Sequence, residues 1–268
     1  MTRSHHGWAI ELEDFAALDR LPGDDAILAM RGHYEATQFD PREVIRVENQ
    51  GSVGSCQGHS LSTCVEWCAC IATGHAELQL SRAMAYYWTQ KIDGIRGDRG
   101  STISGGVKLA QQTGVCREQL WPYVARYNPK SPVSDAEIKA DAARSKIETA
   151  IRITSYDAAR TFLESGQGGI HIGIPWKSSM KNAVVESFSG GGGGGHAIAL
   201  LSASSRVDRQ SRPYIWLCNS WGESFGNRGW CEVAPAAIEG MLRDRFTVFV
   251  GLSDLITPEP RPTDWSLF

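Results

Sequence analysis

The 268-residue chain places a cysteine where its thiol could act as a nucleophile. In Asn49-Gln50-Gly51-Ser52-Val53-Gly54-Ser55-Cys56, a loop rich in glycine and serine delivers Cys56 to the first turn of an apolar run, CQGHSLSTCVEWCACIAT. A helix N-terminus carries free N–H groups and a partial positive charge, both of which favour a thiolate. The N–H of Cys56 can also face a developing oxyanion, with the Gln50 side-chain amide, six residues earlier, as a second donor. Taken alone, the pattern equally describes a buried small residue, the commoner use of cysteine. His196 stands between six glycines, Gly190 to Gly195, and the apolar stretch HAIALLSAS; on its own it reads as structural or surface. Asn219, at the end of YIWLCNS, has an amide oxygen able to accept from one imidazole nitrogen. That bond would determine which nitrogen faces a thiol, with Trp221 shielding it from water.

Other reactive residues are weaker candidates. The chain has seven cysteines, an odd number, and no secretory signal accompanies them, which argues against a disulfide framework. Zinc on Cys68, Cys70 and His75 is a generic rival, but zinc usually takes paired ligands from two separated segments. No metal or organic cofactor is expected. His59 falls one turn after Cys56 and reads as structural, because its place on the helix turns it away from a substrate. Trp88, Trp176 and Met241 are candidate cleft walls, with core packing as the default reading.

The elements that must position these residues divide the chain. The first half reads as helical: 56–73 as a buried helix closed by Gly74, a second helix over 81–90 and a third over 105–112 stopped by Gly114. Residues 37–55 read as an extended approach into a loop. Residues 128–146 read as a surface connection carrying a short charged helix, and 155–166 as an amphipathic helix. The second half reads as strand-rich, with strands in GGIHIGIPW, HAIALLSAS, YIWLCNS and GWCEVA. The glycine run reads as a mobile loop at a cleft rim. Residues 1–35 form an extension in which ELEDFAALDRL gives a short amphipathic helix, broken at Pro22-Gly23-Asp24-Asp25. The tail, 251–268, is proline-rich.

Composition narrows the partners. Twenty-seven basic against 30 acidic residues give a net charge of −3, so no basic excess points to nucleic acid. No stretch has the length of a membrane span. MTRSHHGWAIELEDF lacks the apolar core of a signal peptide, so the cytoplasm is the default location, with a virion or signal-less export left open.

Together the motifs resemble those of the papain-like cysteine proteases, peptidase family C1 of bacterial or phage type, from about Gln38 to Phe249. The nucleophile motif Q-G-x-x-G-S-C is matched by Gln50 to Cys56 and the histidine motif by Gly195-His196-Ala197-Ile198. The asparagine motif is matched by Asn219-Ser220-Trp221-Gly222 followed by Gly226-Asn227-Arg228-Gly229-Trp230. Gly114 to Tyr123, GVCREQLWPY, is similar to a further family stretch. His196 follows Cys56 by 140 residues, within the spacing of about 130–150 typical of the family.

The resemblance implies an α+β fold of two lobes, a helical lobe over about 50–130 and an antiparallel β-rich lobe over about 150–250, within a peptidase domain of 36–250. The active site would lie in the cleft between the lobes. It implies Cys56 as nucleophile, His196 as base, Asn219 as the residue orienting it and Gln50 in the oxyanion hole of an endopeptidase acting on protein or peptide. Val53 stands where the family often has a disulfide cysteine, and Gln57 where it often has tryptophan. Residues 1–35 are a candidate short pro-segment or plug. Two rivals remain: an inactive structural component of a larger assembly such as a phage particle, touching the extension or the tail, and a cell-wall peptide hydrolase.

Overall fold

A computed structural model describes residues 7–29, 39–74 and 78–256. The helices are α1 (Phe15–Leu18), α2 (Asp24–Ala29), α3 (Pro41–Val44), α4 (Cys56–Thr73), α5 (Arg82–Asp93), α6 (Ile103–Gln112), α7 (Asp135–Ala142), α8 (Tyr156–Glu164) and α9 (Pro235–Leu242). The strands are β1 (Lys146–Arg152), β2 (Gly168–Lys177), β3 (Val184–Val185), β4 (Gly192–Val207), β5 (Pro213–Cys218), β6 (Trp230–Val233) and β7 (Val248–Ile256). They form one sheet in the order β1-β7-β2-β4-β5-β6-β3, antiparallel except for the β3–β6 pair. This is an α+β architecture, with the long helices gathered before the strands.

The central helix, α4, packs on β2, β4 and β7 on one side and on α5 and α6 on the other. Every residue from Cys56 to Cys70 is buried, the polar Gln57, His59 and Glu66 along with the apolar and small ones, so the helix is enclosed on all sides. Gly58 lets α5 approach, since a Cβ there would sit 2.7 Å from the Tyr86 nitrogen. The helix ends at Gly74, whose left-handed backbone (φ 71°) and N–H to the Cys70 carbonyl close its last turn. Strand β2 shows how the layers are built. Ile170, Ile172 and Ile174 pack with Tyr156 and Phe162 on one face. Alternate residues face α4: Gly169 allows close approach to the Cys64 backbone, and His171 bonds Ser60.

Between α4 and the start of α5 lies a buried ion pair. Glu66 accepts from both terminal guanidinium nitrogens of Arg82 and from the Leu80 N–H, and both charged side chains are 1% exposed.

Several expectations need correction. The glycine run is not a loop throughout. Gly192 begins β4, and Gly195 pairs with Pro175 of β2. The 37–55 approach contains α3, started by Pro41 after an Asp40 cap. The strand β7 continues to Ile256, so residues 251–256 belong to the sheet and not to a tail. The remainder of that tail, 257–268, lies outside the described residues, as does His75 of the zinc alternative. Residues 11–21 do not form one amphipathic helix. A 3₁₀ turn at Ile10–Leu12 is followed by α1, begun by the Asp14 carboxylate accepting from the Ala17 N–H.

Candidate active site

Cys56 is the first residue of α4, and its sulfur is fully buried. At that position its N–H is one of the four in a helix with no partner inside the helix. The loop before it is pinned to the turn after β5. The Gln50 N–H donates to the Ser220 carbonyl (2.8 Å), the Gly222 N–H donates to the Glu48 carbonyl (3.0 Å), and Asn49 bridges Trp221. The Gln50 side chain extends the same seam. Its Nε2 donates to the Val53 carbonyl (2.8 Å), and its Oε1 accepts from the Ser220 hydroxyl (2.7 Å). Tyr123, the tyrosine of the Trp121-Pro122-Tyr123 stretch, donates its hydroxyl to the Gln50 carbonyl (2.8 Å). It accepts from the hydroxyl of Ser55, the residue before Cys56 (2.7 Å).

His196 lies on β4, opposite Ile174. Its Nε2 is 2.8 Å from Asn219 Oδ1. That oxygen also accepts from the Ser220 backbone N–H (2.8 Å), which fixes the orientation of the amide. An amide oxygen only accepts, so Nε2 carries the ring hydrogen and Nδ1 is the basic nitrogen. Trp221 lies 4.7 Å from the imidazole, tilted, and Trp176 meets it edge-on at 5.0 Å. Trp176 is thus beside the site, whereas Trp88 and Met241 are core residues.

The N–H of Ala197, the residue after His196, donates to Cys56 Sγ at 3.3 Å. This contact joins the head of α4 to β4 across the space between helices and sheet. Gln50, Cys56, His196 and Asn219 therefore lie together, each at most 2% exposed. His59 is also buried, with Nδ1 3.0 Å from the Ser55 carbonyl.

The sequence did not single out Gly7, Trp8, Glu13 or Ser101 by number. The Gly7 N–H donates to Cys56 Sγ at 3.3 Å. Trp8 then pairs with both walls: its N–H donates to the Gly195 carbonyl (3.2 Å), while the Gly7 carbonyl and the Ala9 N–H bond Ser101 (3.0 Å each). The indole is 3% exposed and lies over Gly173 and Gly195, where added Cβ atoms would come within 2.7 Å and 3.0 Å of the ring. Its Nε1 donates to Glu13 (2.7 Å), whose carboxylate also caps α6 through the N–H groups of Ile103 and Ser104. Gly7 itself has no room for a side chain, because a Cβ would meet the Gly54 carbonyl at 1.8 Å. A Gly-Trp pair upstream was the one available signal, visible only as part of a suspected plug.

Burial pushes the Cys56 thiol up to about 11, against the pull of the Ala197, Gly7 and Gln57 N–H groups. Desolvation thus opposes the field of the helix end at this sulfur.

The fold is that of the papain-like enzymes. The crystal structure of xylellain, a cysteine protease from Xylella fastidiosa, superposes with a TM-score of 0.71 at 22% identity, over 95% of this chain and 97% of that one. The Carica candamarcensis cysteine protease CMS1MS2, solved in complex with E-64, gives a TM-score of 0.61 at 20% identity, over 81% and 98%. The model of the papain family of cysteine proteases matches residues 35–243, and this chain belongs to that family. Cysteine proteinase 1 of Zea mays is 26% identical over 204 residues, 70% of this chain and 52% of the maize protein. The chain spans about half the length of the curated relatives it matches. Among the described residues no helix is long and apolar enough to cross a membrane.

Proposed function

We propose that the chain is a cysteine endopeptidase whose own residues 7–9 occupy its cleft. The observation that carries this is the meeting at Cys56: its sulfur accepts from the amide beside His196, and His196 is held by Asn219. With the cleft open, water returns to the sulfur and the cost of charging it falls. His196 takes the thiol proton on Nδ1, giving a thiolate–imidazolium pair. The thiolate attacks a peptide carbonyl, and the oxyanion receives hydrogen bonds from the Cys56 N–H and the Gln50 amide. His196 then returns its proton to the leaving amine, and water hydrolyses the thioester.

The segment lies where a peptide would lie, bonded to both walls and covering the nucleophile. The contact of the Gly7 N–H with Cys56 Sγ supports reading residues 1–35 as a short plug. Full-length protein and a Cys56→Ala variant, each tested on casein after limited removal of the N-terminal segment, provide the test. Hydrolysis by the first and none by the second is expected; hydrolysis by Cys56→Ala would end the assignment. Purified cell walls assayed beside casein distinguish a cell-wall peptide hydrolase from a general endopeptidase, and turnover of neither would favour an assembly role.

A further inference from the structure

His59 is a histidine near the proposed nucleophile that the mechanism does not use. It lies on α4, three residues after Cys56, with its ring edge against Tyr123 at 4.6 Å. Nδ1 faces the Ser55 carbonyl, which only accepts, so Nδ1 carries the hydrogen and Nε2 presents a bare lone pair. Burial and the nearby Arg82 charge pull the ring's pKa down to about 3, so it stays neutral. Nε2 is buried and has no hydrogen-bond partner, and the same holds for Asn219 Nδ2, a donor. Both residues line one small cavity of about 10 Å³ between α4 and the β4–β5 edge, walled also by Glu48, Ser60, Thr63, Cys218 and Ser220. That is the volume one water molecule needs.

We propose that a single water sits in this cavity, accepting from Asn219 Nδ2 and donating to His59 Nε2, and that His59 is thereby a positioning residue for the His196–Asn219 pair. The donor and acceptor senses fit: Asn219 offers only N–H on that side and His59 only a lone pair. The water holds the amide plane from behind and draws electron density towards Oδ1, the atom that accepts from His196. A phenylalanine at position 59 would fill similar space but leave the amide hydrogens without a partner. His59 acts through Asn219 and touches no substrate.

The kinetic part of the test rests on the protease assignment; the crystallographic part does not. A crystal structure of the full chain is expected to show one ordered water within 3.2 Å or so of both atoms. An empty or apolar cavity there overturns the proposal whatever the enzyme does. In a Trp8→Ala background, His59→Phe is expected to lower kcat by about threefold to tenfold with KM unchanged, the worth of one hydrogen bond. His59→Gln, whose side-chain oxygen can accept from the same water, is expected to recover most of the loss. Unchanged kcat in His59→Phe, or an equal loss in both variants, overturns the positioning role. If turnover is absent even after removal of the N-terminal segment, the protease assignment fails and the water alone decides.

Discussion

Gln50 illustrates how a single side chain can carry both fold and chemistry. One amide hydrogen is committed to the Val53 carbonyl, and the oxygen is committed to Ser220. The proposed oxyanion contact would be made by the same amide nitrogen. Gln50→Ala is expected to reduce kcat by about 10²–10³, as removal of one such donor does elsewhere, with little change in KM. Steady-state kinetics beside a melting curve check this, and an unchanged kcat in a folded variant would remove Gln50 from the site. Cys56, His196, Asn219 and Gln50 could be picked out from the sequence because each stands in a short local pattern. Trp8 and Ser101 could not, because their significance comes from pairing across 93 residues of chain, which no local pattern encodes. The burial of the Cys56 sulfur could not be read from the sequence for the same reason. The helix end is local, but the cover that desolvates it is not.

The elements were readable where periodicity was strong. α4, α5 and α6 fall within a few residues of their expected bounds, and the capping residues Ser81 and Thr102 accept from Met84 and Gly105 as such residues should. β1 and β7 were not named. The sequence of β1, KIETAIR, is polar on one face and follows a charged stretch, and β7 is recognisable mainly through its partners β1 and β2. The glycine run misled because glycine usually marks flexibility. Here the missing side chain has a packing reason: a Cβ on Gly192 would lie 1.7 Å from the Trp176 carbonyl, and one on Gly195 would lie 2.6 Å from the Trp8 carbonyl. The join between α4 and α5 depends on the buried Glu66–Arg82 pair. Glu66→Ala would strand the guanidinium in an apolar interface, and is expected to cost about 3–5 kcal/mol in a denaturant titration. A loss below about 1 kcal/mol would mean that water reaches Arg82 and that the interface is looser than described.

The molecule as a whole is built with two buried neutral histidines on the α4–sheet interface, His59 and His171, both with pKa values pulled down to about 3 by burial. In the unfolded chain they titrate near 6.5. Below that pH the unfolded state binds protons that the folded state refuses, so stability present above pH 6.5 is lost progressively as pH falls towards 3. Melting temperature measured from pH 7 to 4 should fall. A flat profile would show that one or both rings accept a proton in place.

The N-terminal segment gives the whole molecule its other property, since Gly7 bonds the proposed nucleophile, Cys56, while Trp8 and Ala9 bond Gly195 and Ser101 on either side of it. Labelling by iodoacetamide at pH 7, read residue by residue in the mass spectrometer, compares native protein with Trp8→Ala. Loss of the indole removes the contacts with Gly173, Gly195 and Glu13, a change on the order of 3 kcal/mol or more. Cys56 should therefore react on the order of 100-fold faster in the variant, alone among the seven cysteines. Equal rates in the two proteins, or reaction at another cysteine in preference to Cys56, would contradict the account.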